Sequence, residues 1–369
     1  MKRNATGGTA LAAVVVLFAI STPADADGPP ARPKVLLEFG WDEPDTGFMR
    51  RHIAKMETTP FDGCVYHADA LLADGKPDSL CWKFWGSRAF TEQELSKAVD
   101  DLRATPFRRF RHNFLRVNTA PADLDWFDDL APVLANARLA ARVAREGKSR
   151  GILLDVEQYQ GQLFHYKKQK HAASRSWDEY AAQAKRQGHA LMDAFQEAFP
   201  GLTVLLTFGP SLVAKQTQGG KVAVEETEYG LLAPFLEGMA EACRDGATIV
   251  DGYEPSYSYK KESQFDEGLK LMRSARPAVK AGFGLWLDDD WRKHGWNVDD
   301  PSRNPFTPEG FGAAVRAALE RSDEIVWVYS ETPRWWSPGD ASPVKLPPAY
   351  IDALRRARQG LTAGEQPVP

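Results

Sequence analysis

"GILLDVEQY", residues 151–159, is a run of aliphatic residues that ends in two acids, Asp155 and Glu157. Side chains along an extended strand alternate between faces, so Leu153, Asp155, Glu157 and Tyr159 share one face while Ile152, Leu154 and Val156 share the other. The wholly aliphatic face belongs against a layer of helices. The two acids then point to the opposite side, about 6 to 7 Å apart along the strand.

Outward from this stretch, apolar runs of strand length alternate with amphipathic runs of helix length. Strands are expected at 34–40, 61–67, 112–119, 151–159, 202–209, 247–254, 278–288 and 324–331. The helices expected after them cover 48–57, 91–105, 123–146, 176–200, 230–244, 262–275, 307–322 and 348–359. Thr91 and Glu94 have the spacing of a capping box at the start of the second helix. Eight strand–helix units in strict order imply an α/β chain folded as a single (β/α)8 TIM barrel over residues 27–360. An open doubly wound sheet is the competing arrangement, but no Gly-rich phosphate loop follows the first strand. Long inserts are expected at 68–90, 160–175, 210–228 and 289–306, and a frayed tail at 361–369.

Hydrophobic residues make up 43% of the chain, charged residues 26%, and the net charge is −4, so the composition supports a sizeable core and excludes a disordered chain. Basic residues are scattered, which argues against a nucleic-acid partner. Lys2 and Arg3, the apolar run at 10–20 and "ADA" at 24–26 have the order of a secretory signal, which predicts residues 1–26 as a cleaved signal peptide and a secreted or periplasmic product. The apolar run is short for a membrane span, and no membrane association is expected after cleavage. Three cysteines leave at least one unpaired, with Cys64 and Cys81 the plausible pair and a free buried thiol the alternative for each. No spacing of Cys or His supports a structural zinc, and neither metal nor cofactor is expected. The oligomeric state is not legible.

Barrels of this kind carry their sites where the strands end. That rule places Asp155, Glu157 and Tyr159 at the mouth with Glu331, Tyr329 and Trp327 of the eighth strand, Trp286 and Asp288 of the seventh, Tyr253 and Glu254 of the sixth, Arg116 and Asn118 of the third, and Trp41 and Asp42 of the first. Trp82, Trp85, Trp291, Trp296, Trp335, Trp336, Tyr257 and Tyr259 also fall at strand ends or in the loops after them. Aromatic faces beside carboxylates suit a carbohydrate ligand, because a sugar ring stacks on one and hydrogen-bonds to the other. Paired carboxylates are what glycosidic cleavage needs: one donates a proton to the leaving oxygen, and the other acts as nucleophile or activates water. The expectation is therefore Glu157 as acid/base, with Asp155, Glu254 or Glu331 as second carboxylate.

"GILLDVEQY" also resembles the strand-four signature D-G-x-D-x-D-x-E of the family 18 glycoside hydrolases, the chitinase-like barrels, with Gly151, Asp155 and Glu157 matching. The resemblance implies Glu157 as general acid, Asp155 as the residue orienting an acetamido group, Tyr253 as the strand-six Tyr and Trp327 as the strand-eight Trp. Leu153 and Arg150 stand where that pattern has Asp, and the sixth strand reads "GYEPSY" in place of M-x-Y-D. Retaining barrels of the two-glutamate kind place their nucleophile on strand seven, where this chain has Asp288. Two other classes of function stay open at this point. One is a non-catalytic glycan-binding barrel; the other is a metal-assisted hydrolase using Asp42, Glu43 or the acids at 288–290.

Overall fold

Eight parallel strands run in chain order around a closed sheet in the computed structural model, which describes residues 34–276, 278–336 and 345–359 together with Met1 and Leu361. They are β1 (Val35–Gly40), β2 (Gly63–Tyr66), β3 (Phe114–Asn118), β4 (Gly151–Asp155), β5 (Thr203–Leu206), β6 (Thr248–Asp251), β7 and β8 (Ile325–Ser330). Strand β7 is in two pieces, Lys280–Ala281 and Phe283–Trp286, parted at Gly282. The first piece pairs with β6 and the second with β8, while β8 pairs with β1, so the interruption lies where the barrel closes. The architecture is the (β/α)8 barrel expected from the sequence. The expected signal peptide, Met1 aside, and the expected frayed tail beyond Leu361 lie outside the described residues.

The helices are α1 (Thr46–Met56), α2 (Ser96–Ala104), α3 (Ala131–Glu146), α4 (Trp177–Ala198), α5 (Leu232–Ala242), α6 (Glu262–Ala275), α7 (Pro308–Arg321) and α8 (Pro348–Arg358). Side-chain caps fix several starts. Ser176 and Glu179 close a reciprocal capping box at α4, and the Thr307 hydroxyl accepts from Gly310 N–H at α7. Thr91 and Glu94 form their predicted reciprocal bonds, but on a turn, and regular α2 begins only at Ser96. The chain at 123–130, expected as the start of α3, is a loop. Elements not foreseen are a hairpin of Asp69–Leu71 against Pro77–Ser79, a one-turn helix at Leu80–Lys83 and a helix at Pro210–Gln216.

Alternation divides the apolar residues into two cores. Leu37, Phe39, Phe114, Leu153, Leu205, Val250 and Trp327 fill the barrel, whereas Leu36, Leu115, Ile152, Leu154, Val204, Val326 and Val328 pack under the helices. Each such fully buried aliphatic side chain contributes about 1.5 to 3 kcal/mol of transfer free energy. The two cysteines lie apart: Cys64, on β2, faces the helix layer, and Cys81, on the turn of helix at Leu80–Lys83, lines the mouth. Cys64, Cys81 and Cys243 are all free thiols, so the considered Cys64–Cys81 pair is not formed. Among the described residues no helix is long and apolar enough to cross a membrane.

Candidate active site

A cavity of about 620 Å³ opens at the C-terminal ends of the strands, within the range usual for small-ligand sites. Asp155, Glu157, Glu254 and Glu331 line it with Trp41, Arg116, Tyr159, Trp286 and Tyr329, all named from the sequence. Five other candidates fall outside its wall: Asp42, Asn118, Tyr253, Asp288 and Trp327.

Asp155 is fully buried at the end of β4 and heads a dense network. Arg116 reaches across from β3 and donates from Nη2 to Asp155 Oδ2 at 2.7 Å and from Nη1 to Glu43 Oε2 at 2.9 Å. The Tyr159 hydroxyl donates to the same Asp155 oxygen at 2.9 Å, and the Glu157 backbone N–H donates to Asp155 Oδ1 at 3.1 Å. Asp155 thus fixes both the turn after β4 and the Tyr159 ring. Although burial acts upward on it, Glu43 is held below the usual carboxylate range by Arg116 and by His67, whose Nδ1 lies 3.3 Å away.

Glu157 and Glu254 are placed differently. Burial is the largest cause raising the Glu157 carboxyl, and the nearby Asp155 charge adds to it. Glu254 is pushed up to about 8, first by burial and then by the Glu157 and Asp155 charges. The backbone delivers Glu254 through an unusual turn, since Tyr253 sits in the left-handed region at φ 46°, ψ 57°. A bulky residue there costs about 1 to 3 kcal/mol and persists only where the surroundings enforce it. Buried Asp251 helps to enforce it by accepting from Tyr253 N at 3.0 Å and Gly209 N at 2.9 Å, while the Tyr253 ring is buried against Phe283 and Tyr259. Tyr253 therefore orients Glu254 and does not line the cavity.

Glu331 is more heavily engaged. Its Oε2 accepts from Trp291 Nε1 at 2.7 Å and pairs with Arg292 at 2.5 Å. Asp288 is fully buried and accepts from the backbone N–H of Glu331 at 3.0 Å and of Thr332 at 2.8 Å, and from Trp286 Nε1 at 2.8 Å. It is a fastener for the β7 and β8 ends. Asp42 has the outward parity of β1, lies buried beside Glu38, and accepts from Trp335 N at 2.8 Å. Trp327 is buried in the barrel with its Nε1 donating to Gly252 O, and Asn118 Oδ1 accepts from Ala120 N. All five sit on or beside strand ends as expected, but their side chains hold the scaffold together.

The aromatic rim is also thinner than the sequence suggests. Trp41, Trp82 and Trp286 line the cavity, but Trp85, Trp335 and Trp336 are buried in the helix-side core and Trp296 packs on Tyr350. Sequence reasoning did not find His67, Asp69, Ser79 and Thr207 on the wall. Thr207 follows β5 on the inward parity of Leu205 and His67 follows β2 on that of Val65, a signal present for both; Asp69 and Ser79 depend on the unforeseen hairpin. Among the described residues no group of three or more His, Cys, Asp or Glu could hold a metal ion. Of the carboxylates considered for one, Asp42 is engaged by a backbone turn, Glu43 by Arg116 and His67, Asp288 by three N–H donors and Asp290 by Lys293.

This architecture is the (β/α)8 barrel found in solved glycoside hydrolases. The chain superposes on a family 5 glycoside hydrolase from Prevotella bryantii, crystallised with a xyloglucan tetradecasaccharide, with TM-score 0.50 and 9% identity over 88% of this chain and 96% of that one. A GH5-4 broad specificity endoglucanase from an uncultured bacterium gives TM-score 0.47 and 14% identity, covering 87% of this chain and 86% of that one. A chitinase from Bacteroides thetaiotaomicron gives 0.44 and 11%, covering 92% and 100%. No family model matches the sequence, and no curated protein matches it.

Proposed function

We propose that this chain is an exported glycoside hydrolase that cleaves a poly- or oligosaccharide with Glu157 and Glu254 as its carboxyl pair. The observation that carries the proposal is that Glu157 and Glu254 line one cavity, with the Glu254 carboxyl pushed up to about 8 first by burial and then by the Glu157 and Asp155 charges. A protonated acid beside an ionised carboxylate is the arrangement acid-catalysed glycoside cleavage requires. The fold likeness to glycosidases supports the class and leaves the substrate open.

Glu254, the more deeply buried of the two, donates its proton to the glycosidic oxygen as the bond to the anomeric carbon breaks. Glu157 then meets the developing positive charge, either by bonding to that carbon or by taking a proton from the attacking water. This reverses the expectation of Glu157 as acid, because the environment of Glu254 holds a proton more firmly. Asp155, Arg116 and Tyr159 keep the turn that carries Glu157 in place. Glu331, in its ion pair with Arg292, is a binding group.

Digestion of a glycan panel followed by mass spectrometry tests the activity, and aryl glycosides of the sugar so identified test the roles. Glu254→Gln should lose natural glycans but retain aryl glycosides whose leaving group needs no proton, whereas Glu157→Gln should lose both. Binding without product release from any glycan would overturn the reading in favour of a non-catalytic glycan-binding barrel.

A further inference from the structure

The wall segment with the unforeseen hairpin is one continuous insert after β2. It supplies His67, Asp69, Ser79, Cys81 and Trp82 to the cavity. The insert is fastened at several points. Asp45 and His67 form a parallel bridge at its start, Leu71 N donates to Glu94 O at 2.8 Å, and Asp78 pairs with Arg88 and, at 2.6 Å, with Lys83. Arg88 in turn holds Glu94 at 2.5 Å. A wall tied this way is a preorganised surface.

Its chemistry has two parts. Trp82 is 39% exposed; its ring is steadied edge-on by Tyr159 at 5.0 Å between centroids, and the Arg116 guanidinium lies 5.4 Å from it. Beside it are His67 and Asp69. His67 Nδ1 is directed to Glu43, and its Nε2 lies 3.8 Å from Asp69 Oδ2. That separation is too long for a direct hydrogen bond but lets both atoms reach one hydroxyl oxygen at about 2.8 Å. A ring stacked on Trp82 would therefore have a hydroxyl oxygen that accepts from the imidazole and donates to the carboxylate.

Charge narrows the class of ring. Among the described residues, the side chains on the cavity wall able to carry positive charge are Arg116 and His67, and each already faces two carboxylates: Glu43 and Asp155 for the first, Glu43 and Asp69 for the second. A uronate or sulfated sugar brought to this wall would meet like charge, and among the described residues no wall cation is without carboxylate partners to receive it.

On the reading that the cavity binds a glycan, we propose that the 67–82 insert forms a subsite for an uncharged pyranose, with Trp82 as stacking platform and His67 with Asp69 as the hydroxyl-reading pair. The subsite is a specificity element; the bond-cleaving groups lie elsewhere in the cavity.

The test measures binding by calorimetry in the Glu157→Gln protein, with cello-, manno-, xylo- and chito-oligosaccharides as uncharged probes and oligogalacturonates and oligoalginates as charged ones. At least one uncharged series should bind at least tenfold tighter than both uronate series. Adding Trp82→Ala should weaken that binding tenfold or more, Trp82→Phe should restore most of it, and Asp69→Asn should change which hydroxyl epimers are preferred. Equal or tighter uronate binding, no binding of any uncharged probe, or affinity untouched by Trp82→Ala would each overturn the subsite. The two readings fail separately. Trp82-dependent binding with no product from the unmutated protein sinks the hydrolase and leaves the subsite, while cleavage whose KM ignores Trp82→Ala does the reverse.

Discussion

Arg116 Nη2 stands 2.7 Å from Asp155 Oδ2, a bond between a side chain 12% exposed and one with no exposure at all. Through its other nitrogen the same guanidinium reaches Glu43 at 2.9 Å, so one cation serves two carboxylates of the cavity wall. Removing one partner of a buried pair typically costs about 3 to 5 kcal/mol, because the charge left behind is desolvated and unmatched. Arg116→Ala should therefore lower stability by about that amount, read as a shift in the urea midpoint, and should abolish turnover by releasing the turn that carries Glu157. A variant with unchanged midpoint would show that water replaces the guanidinium.

The raised Glu254 makes a signed prediction about pH. A carboxyl whose folded pKa exceeds its unfolded value binds more protons when folded, so from it stability falls as pH rises. The window runs from the ordinary Glu value of 4.5 to about 8, with a slope of up to about 1.4 kcal/mol per pH unit. Glu254→Gln should remove this slope, and the difference between the two stability–pH curves isolates it from other raised acids such as Glu38. Activity should fall as pH rises through about 8, where the proposed acid loses its proton. Parallel curves for the two proteins between pH 5 and 8 would remove Glu254 as the coupled acid.

Glu43 acts with the opposite sign. Its pKa is depressed by Arg116 and His67, so the stability it contributes is present above the usual Glu range and is lost as pH falls through its lowered folded value. Glu43→Gln should flatten the acid limb of the stability curve below about pH 4.5, the reference value of the free carboxyl. An unaltered acid limb in that variant would mean that other carboxylates carry it.

How far the sequence foretold this site depended on what each residue's role rests on. Where the role follows from strand parity it was legible: Asp155 and Glu157 face the mouth because Ile152, Leu154 and Val156 must face helices, and Trp41 and Glu43 line the cavity by the same alternation. Where the role depends on which buried donors a carboxylate meets, it was not. Asp288 and Asp42 read as mouth acids, yet backbone N–H groups from distant turns claim them. Trp335 and Trp336 follow the eighth strand, but the chain there folds down onto the helix layer. Asp69 and Ser79 were hidden because "DAL" and "PDS" are strands too short to show alternation and exist only through pairing with each other.

Asp288 offers a clean test of positioning against binding. Asp288→Asn keeps the volume but removes the charge that three N–H donors share, so stability should drop by about 1 to 3 kcal/mol. With Glu331 loosened, KM for the cleaved glycan should rise more than kcat falls. A change confined to kcat would instead place Asp288 among the reacting groups.

Gly151, the first residue of the stretch that set the fold, is a glycine for a reason of close approach. A Cβ built there would lie 1.8 Å from the Thr203 carbonyl oxygen on β5, an atom of the neighbouring backbone that cannot swing aside. The Thr203 N–H also donates to Arg150 O, so the two chains are drawn together at that level. Gly151→Ala must push β5 away from β4 or rotate the start of β4, and overpacking of this kind costs about 1 to 3 kcal/mol or more. Because the register of β4 sets where Asp155 and Glu157 end up, the strain should also reach the cavity: turnover of the variant should fall even at temperatures where it is fully folded by circular dichroism. Wild-type stability in Gly151→Ala would show that β4 and β5 can move apart there at no cost.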